Sequence, residues 1–180
     1  DHTDFMFKVL ITGPEASGKT TLSQFLARRF QVPWVPEFAR TYLSALDRPY
    51  TEEDLLLILN GQLRLQKQHE GKYPLLFCDT GPEVIYIWSE VKFGQVDDYI
   101  QQQLRDVHYD LRLLCYPDLP WEYDPLREAP DAQDRLRLYD KYVALLEQAG
   151  FPYTLIKGDQ AQREQLAYAA VQKHWGEGAL

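Results

Sequence analysis

Two kinds of patterning alternate along the chain. Short uninterrupted apolar runs read as buried strands, and longer stretches with apolar residues every three or four positions read as helices. Residues 5–12 form a first β-rich run, and residues 19–30 have helical spacing through Leu22, Phe25, Leu26 and Phe30. Residues 34–35 make a second, short strand between Pro33 and Pro36. Residues 51–69 predict a long helix whose start Thr51 and Asp54 can cap reciprocally. Residues 75–78 and 111–115 are two more buried strands, and residues 132–149 are a helix ended by Gly150. A fifth strand at residues 153–156 precedes a last helix at residues 160–173. Short apolar strands separated by helices predict an α/β fold, a five-stranded parallel sheet with helices on both faces. No repeat or low-complexity tract interrupts it. Residues 7–180 therefore read as a single domain, and residues 1–6 as a leader or cloning remnant.

One stretch fits neither pattern. Pro117, Pro120, Pro125 and Pro130 fall close together, among acids, Trp121 and Arg127. Proline at that density prevents a regular element. The stretch reads either as a stiff surface connection or as a lid over about residues 117–134, since long loops in compact folds are often functional.

Charge narrows the class of partner. The formal net charge is -8, and no Lys/Arg run exceeds Arg28-Arg29. A nucleic-acid surface needs a positive footprint, so a small anionic ligand in one pocket fits better. No apolar run reaches the length of a membrane span, and the first residues lack a secretory pattern. Cys78 and Cys115, without CxxC spacing, read as buried strand-end thiols in a reducing, cytoplasmic setting.

The chemistry concentrates in residues 13–20, Gly-Pro-Glu-Ala-Ser-Gly-Lys-Thr, which match GxxxxGK[ST] between a strand and a helix. Gly13 and Gly18 permit a turn that lines up backbone N–H groups on one concave face, at the positive end of the next helix. ATP with Mg²⁺ is the expected ligand. Gly13, Glu15, Ala16, Ser17, Gly18, Lys19, Thr20 and Thr21 would surround its phosphates, with Lys19 as the point charge and Thr20 as a metal ligand. Asp79, directly after the apolar run 75–78, is the expected second metal ligand at a strand's carboxyl end; the alternative is a helix cap before Pro82. A guanine-reading [NT]KxD segment is absent, and the size suits a small-molecule kinase.

Such a kinase needs a carboxylate beside the acceptor hydroxyl. Glu37 follows the second strand and fits, with Arg40 one turn on. The alternative is that Glu37 caps a helix and pairs with Arg40 at the surface. Arg127 is the expected cation for the transferring phosphoryl group; Arg135 and Arg137 fit that role or a solvated helix face. Trp34, Phe38, Tyr42, Tyr86, Trp88, Trp121 and Tyr123 are candidate platforms for a ring-bearing acceptor. The four histidines are scattered and suggest no metal site.

Five stretches in order, GPEASGKTTL (13–22), PWVPEFAR (33–40), CDT (78–80), IWSE (87–90) and PDLPWEYDPLRE (117–128), resemble the ribosylnicotinamide kinase domain of NadR-type proteins. The resemblance extends across most of the chain. It implies a P-loop NTPase fold with a mobile lid and an ATP-dependent kinase that phosphorylates the ribose 5′-hydroxyl of nicotinamide riboside, yielding nicotinamide mononucleotide for NAD synthesis. It implies Lys19 and Thr20 on the nucleotide and metal, Asp79 beside the reacting groups, and Arg127 from the lid. Glu37 and Arg40 are expected on the acceptor side, with Tyr42 and Trp121 as aromatic contacts there. Family members often place aspartate where this chain has Gly81, and others an aromatic residue where it has Pro36. Another nucleoside or small hydroxylated metabolite is thus the alternative acceptor, and an ATP-dependent regulatory protein the alternative class. Many NadR proteins also carry an adenylyltransferase domain before this one, so the chain reads as stand-alone or excised.

Overall fold

The computed structural model describes residues 6–118 and 132–179. Along them run β1 (Phe7–Thr12), α1 (Lys19–Phe30), β2 (Trp34–Val35), α2 (Phe38–Ser44), α3 (Glu52–Lys67) and β3 (Leu75–Asp79). There follow α4 (Pro82–Phe93), α5 (Asp98–Asp106), β4 (Leu111–Cys115), α6 (Ala132–Ala149), β5 (Thr154–Ile156) and α7 (Gln160–Ala179). The five strands pair in parallel in the order β2-β3-β1-β4-β5.

Both faces of this sheet are covered, which is why its strands read as continuous apolar runs rather than alternating ones. Val9 and Ile11 pack with Leu22 and Leu26 of α1 and Val171 of α7, whereas Leu10 points the other way, beside Leu76 and Tyr109. Leu114 joins the face built by Ile87 of α4 and Leu146 of α6. A buried ion pair ties α4 to the sheet: Glu83 accepts from Arg112 Nε at 3.0 Å, and the guanidinium lies over the Phe151 ring at 4.0 Å. Register brings the carboxyl ends together, with Ile11 opposite Asp79 and Val35 opposite Cys78. The segments leaving β1, β2 and β3 therefore open on one edge of the sheet.

The elements differ from the sequence expectation in specific ways. Thr51 caps α3 and does not begin it. It donates its backbone N–H to Asp54 at 2.7 Å and receives that residue's N–H at 3.3 Å, completing the expected reciprocal cap. α7 continues beyond residue 173. Helix α5 was not anticipated, and α2 and α4 entered only through the alternatives in which Glu37 or Asp79 caps a helix. α4 is apolar on most of its circumference, being packed between the sheet and other helices, so it lacks a 3.6-residue period. Pro82 stands in the first turn of α4, where its missing N–H costs nothing. Both cysteines are free and buried, and burial pushes their thiols up to about 12. Among the described residues no helix is long and apolar enough to cross a membrane.

Candidate active site

The loop between β1 and α1 is shaped by backbone angles that few residues accept. Gly13 has φ 138°, and a Cβ there would lie 2.7 Å from the Cys115 carbonyl, so any side chain would push the loop off the sheet. Ala16 (φ 59°) and Gly18 (φ 82°) also turn left-handed, and the Ser17 hydroxyl closes the turn on the Pro14 carbonyl at 2.6 Å. Lys19 extends back over the loop, its Nζ donating to the carbonyls of Gly13 at 2.9 Å and Pro14 at 3.0 Å.

All eight residues expected around the phosphates, Gly13, Glu15 to Thr21, line one cleft, and Glu37 and Arg40 line it with them. Asp79 lies just beneath. It is completely buried, and its carboxylate accepts from the Thr20 hydroxyl at 2.8 Å and the Thr80 hydroxyl at 3.3 Å. Burial foremost, and then the nearby Glu37 carboxylate, push Asp79 up to about 6, against the opposing pull of Lys19, Thr20 and Thr80. Asp79 is not a helix cap, because the N-cap of α4 is Gly81.

Glu37 does stand at the N-cap of α2, but its side chain makes no capping bond. Gln62 of α3 takes over that task. Its buried amide accepts the Phe38 N–H at 2.7 Å and donates to the Pro36 carbonyl at 3.0 Å, gripping the backbone on both sides of Glu37. The Glu37 carboxylate is thereby left to the cleft. The packing requires Gly61: a Cβ there would fall 2.1 Å from the Phe38 ring.

Other expected residues sit elsewhere. Tyr42 does not line the cleft; its hydroxyl donates to Asp54 at 2.6 Å, next to the Arg48–Asp54 ion pair. Arg135 is buried in α6, whereas Arg137 is exposed and pairs with Asp134. Trp121, Tyr123 and Arg127, with most of the expected lid, lie outside the described residues. Of the aromatic candidates inside them, Trp88 alone lines the cleft, with Tyr142, Val84 and Leu43, which the sequence did not single out. Val84 and Trp88 are one helical turn apart, so recognising α4 would have placed both on one face; nothing local marks Tyr142. Gly81 faces the core. A side chain there would meet the Tyr109 hydroxyl at 2.8 Å and Leu10 at 2.9 Å, which accounts for a glycine at that position.

Among the described residues no group of three or more His, Cys, Asp or Glu converges as a metal cage. Thr20 and Asp79 together offer two hard oxygen donors beside the phosphate loop, the kind of partial site magnesium takes.

The sequence matches the AAA domain family over residues 8–163. The chain belongs to that family. No curated protein matches the sequence, but solved structures share the fold of this AAA domain. It superposes on a NadR protein in complex with NR with a TM-score of 0.81 at 22% identity, over 97% of this chain and 53% of that one. A NadR protein in complex with NAD and AMP-PNP gives 0.76 at 22% identity, over 96% and 50%. Thymidylate kinase from Ehrlichia chaffeensis gives 0.64 at 14% identity, over 94% and 97%. The AAA domain thus spans about half the length of the NadR chains it matches.

Proposed function

We propose that this chain is an ATP- and Mg²⁺-dependent kinase that phosphorylates the ribose 5′-hydroxyl of nicotinamide riboside. The observation that carries the reading is the meeting of three parts at one cleft: the phosphate loop, the Thr20–Asp79 pair and the uncommitted side chain of the N-cap residue Glu37. The likeness to a NadR protein in complex with NR, and the five sequence stretches described above, support the choice of acceptor.

In this reading the loop N–H groups and Lys19 hold the β- and γ-phosphates. Thr20 and Asp79 would hold magnesium, which when bound neutralises charge that develops on the phosphate oxygens. Glu37 orients the 5′-hydroxyl and accepts its proton as that oxygen bonds to the γ-phosphorus and the bond to ADP breaks. Glu37 suits this role better than Asp79, whose carboxylate is buried and engaged by Thr20 and Thr80. Trp88 offers the acceptor's ring a face to stack on. Arg40 lines the acceptor side, and Arg127 and Trp121 are proposed to contact the same ligands. Pro36, next to Glu37, is the position that favours a second reading, a kinase for a different nucleoside.

The test is ADP release with ATP and magnesium against nicotinamide riboside, common nucleosides and small hydroxylated metabolites. Strongest turnover on nicotinamide riboside is expected. Lys19→Ala should abolish it with the fold intact, and Glu37→Gln should lower kcat by roughly 10²-fold or more. Turnover on another nucleoside alone would move the proposal to that acceptor; turnover on none would leave a nucleotide-dependent regulator.

A further inference from the structure

Against the phosphate loop lies a buried arginine that the chemistry above does not use. Arg163, in the first turn of α7, is 2% exposed. Its guanidinium donates to acceptors from three separate segments. Nε bonds the Gly158 carbonyl at 2.8 Å and Nη1 bonds the Ser17 carbonyl at 2.6 Å. Nη2 bonds both the Tyr116 carbonyl and the Asp118 carboxylate. Asp118 in turn accepts the Gly158 N–H at 2.8 Å. One planar cation thus joins the phosphate loop to the end of β4 and to the turn between β5 and α7.

The contact with Ser17 is the one that bears on function. The Ser17 carbonyl and the Gly18 N–H belong to a single peptide unit, which is planar and trans, so the two point in opposite directions. Holding the carbonyl against α7 aims the N–H away from α7, toward the concave side of the loop. Gly18 lines the cleft at φ 82°, and having no Cβ it lets the peptide rotate easily if the carbonyl is released. The Ser17 hydroxyl, bonded to Pro14, does not restrain that rotation from the back.

We propose that Arg163 is a positioning residue of the phosphate loop, fixing the Ser17–Gly18 peptide so that its N–H meets a nucleotide phosphate. Arginine suits the task because its rigid fork serves four acceptors in fixed directions. Lysine would keep the charge but lose that geometry. The inference rests on the proposed function to the extent that the loop's ligand is ATP.

The experiment compares the full chain with Arg163→Lys, Arg163→Ala and Asp118→Asn. Affinities for MgATP and for nicotinamide riboside are measured by calorimetry, and thermal midpoints and steady-state kinetics on the same samples. Arg163→Lys is expected to weaken MgATP by roughly tenfold or more, the equivalent of one charge-assisted hydrogen bond, while nicotinamide riboside binds as before. Arg163→Ala should weaken it further. Asp118→Asn should have a smaller effect in the same direction, and it keeps the test open if Arg163→Ala fails to fold. KM for ATP should rise in step with the dissociation constant, and KM for the acceptor should not. Lowered midpoints with unchanged MgATP affinity in Arg163→Lys and Asp118→Asn would overturn the inference and leave Arg163 as a fold staple. If the unmodified chain itself fails to bind MgATP, the proposed function falls, and this inference with it.

Discussion

Asp79 is a residue whose stability and function pull in opposite directions. The folded chain holds its proton up to about pH 6, whereas an unfolded aspartate releases it near 3.8. The folded state therefore binds more protons across that interval, and the stability associated with this carboxyl falls as the pH rises from about 4 to about 6. The difference is on the order of 2–3 kcal/mol. Asp79→Asn is accordingly expected to raise the thermal midpoint at pH 7.5, to lose most of that advantage at pH 4, and to abolish magnesium-dependent turnover. Equal midpoints at both pH values would contradict this account of the burial. At this scale the sequence was informative wherever chemistry is local. Lys19 and Thr20 belong to a contiguous motif, Glu37 comes shortly after a short strand, and Asp79 ends one. Arg163 was invisible, because three of its four acceptors are backbone carbonyls that any residue would supply. Tyr142 reaches the cleft only because α6 folds back over the sheet.

Among the elements, α2 and α3 act as a pair that presents Glu37. Gly61 lies mid-helix, where glycine costs about 1 kcal/mol relative to alanine, and the closeness of Phe38 explains why it is there. Gly61→Ala gains helix propensity but forces the Phe38 ring, and α2 with it, to shift. A net destabilisation of about 1–2 kcal/mol is expected by denaturant unfolding. The kinetic signature should be more particular: kcat falls while KM for ATP stays, because the phosphate loop is attached to other elements. Loss of ATP affinity instead would mean that α3 supports the loop as well. The reciprocal cap of α3 was readable from Thr51 and Asp54 because it is a signal contained within four consecutive residues. Helix α2 is short and α4 is buried on several sides, so neither carries a long amphipathic period. Helix α5 shows one only through Ile100 and Leu104 over nine residues, too short a stretch to stand out in the sequence.

In the whole molecule, the sheet's five strands were legible because burial on both faces leaves continuous apolar runs. Their order was not, since the crossovers that decide which strands become neighbours lie in tertiary packing. The Glu83–Arg112 pair is one such packing device, joining α4 to the sheet across 29 residues. Both side chains are buried, so removing one charge strands the other. Glu83→Gln should cost about 3–5 kcal/mol in equilibrium unfolding, and Glu83→Leu combined with Arg112→Met considerably less. Similar losses in the single and double variants would show that the pair is not acting as a unit. The two rims of the sheet carry a further consequence. β2 and β5 are only two and three residues long, against five for each of the strands they cover, β3 and β4. Short rims present few free amides to another chain, which limits ribbon-to-ribbon clumping of the native form. The protection is thin. A fluctuation that frays β2 uncovers Leu75–Asp79, and one that frays β5 uncovers Leu111–Cys115, both wholly buried in the native fold. Aggregation of this protein should therefore begin at frayed rims, well before the phosphate loop is lost.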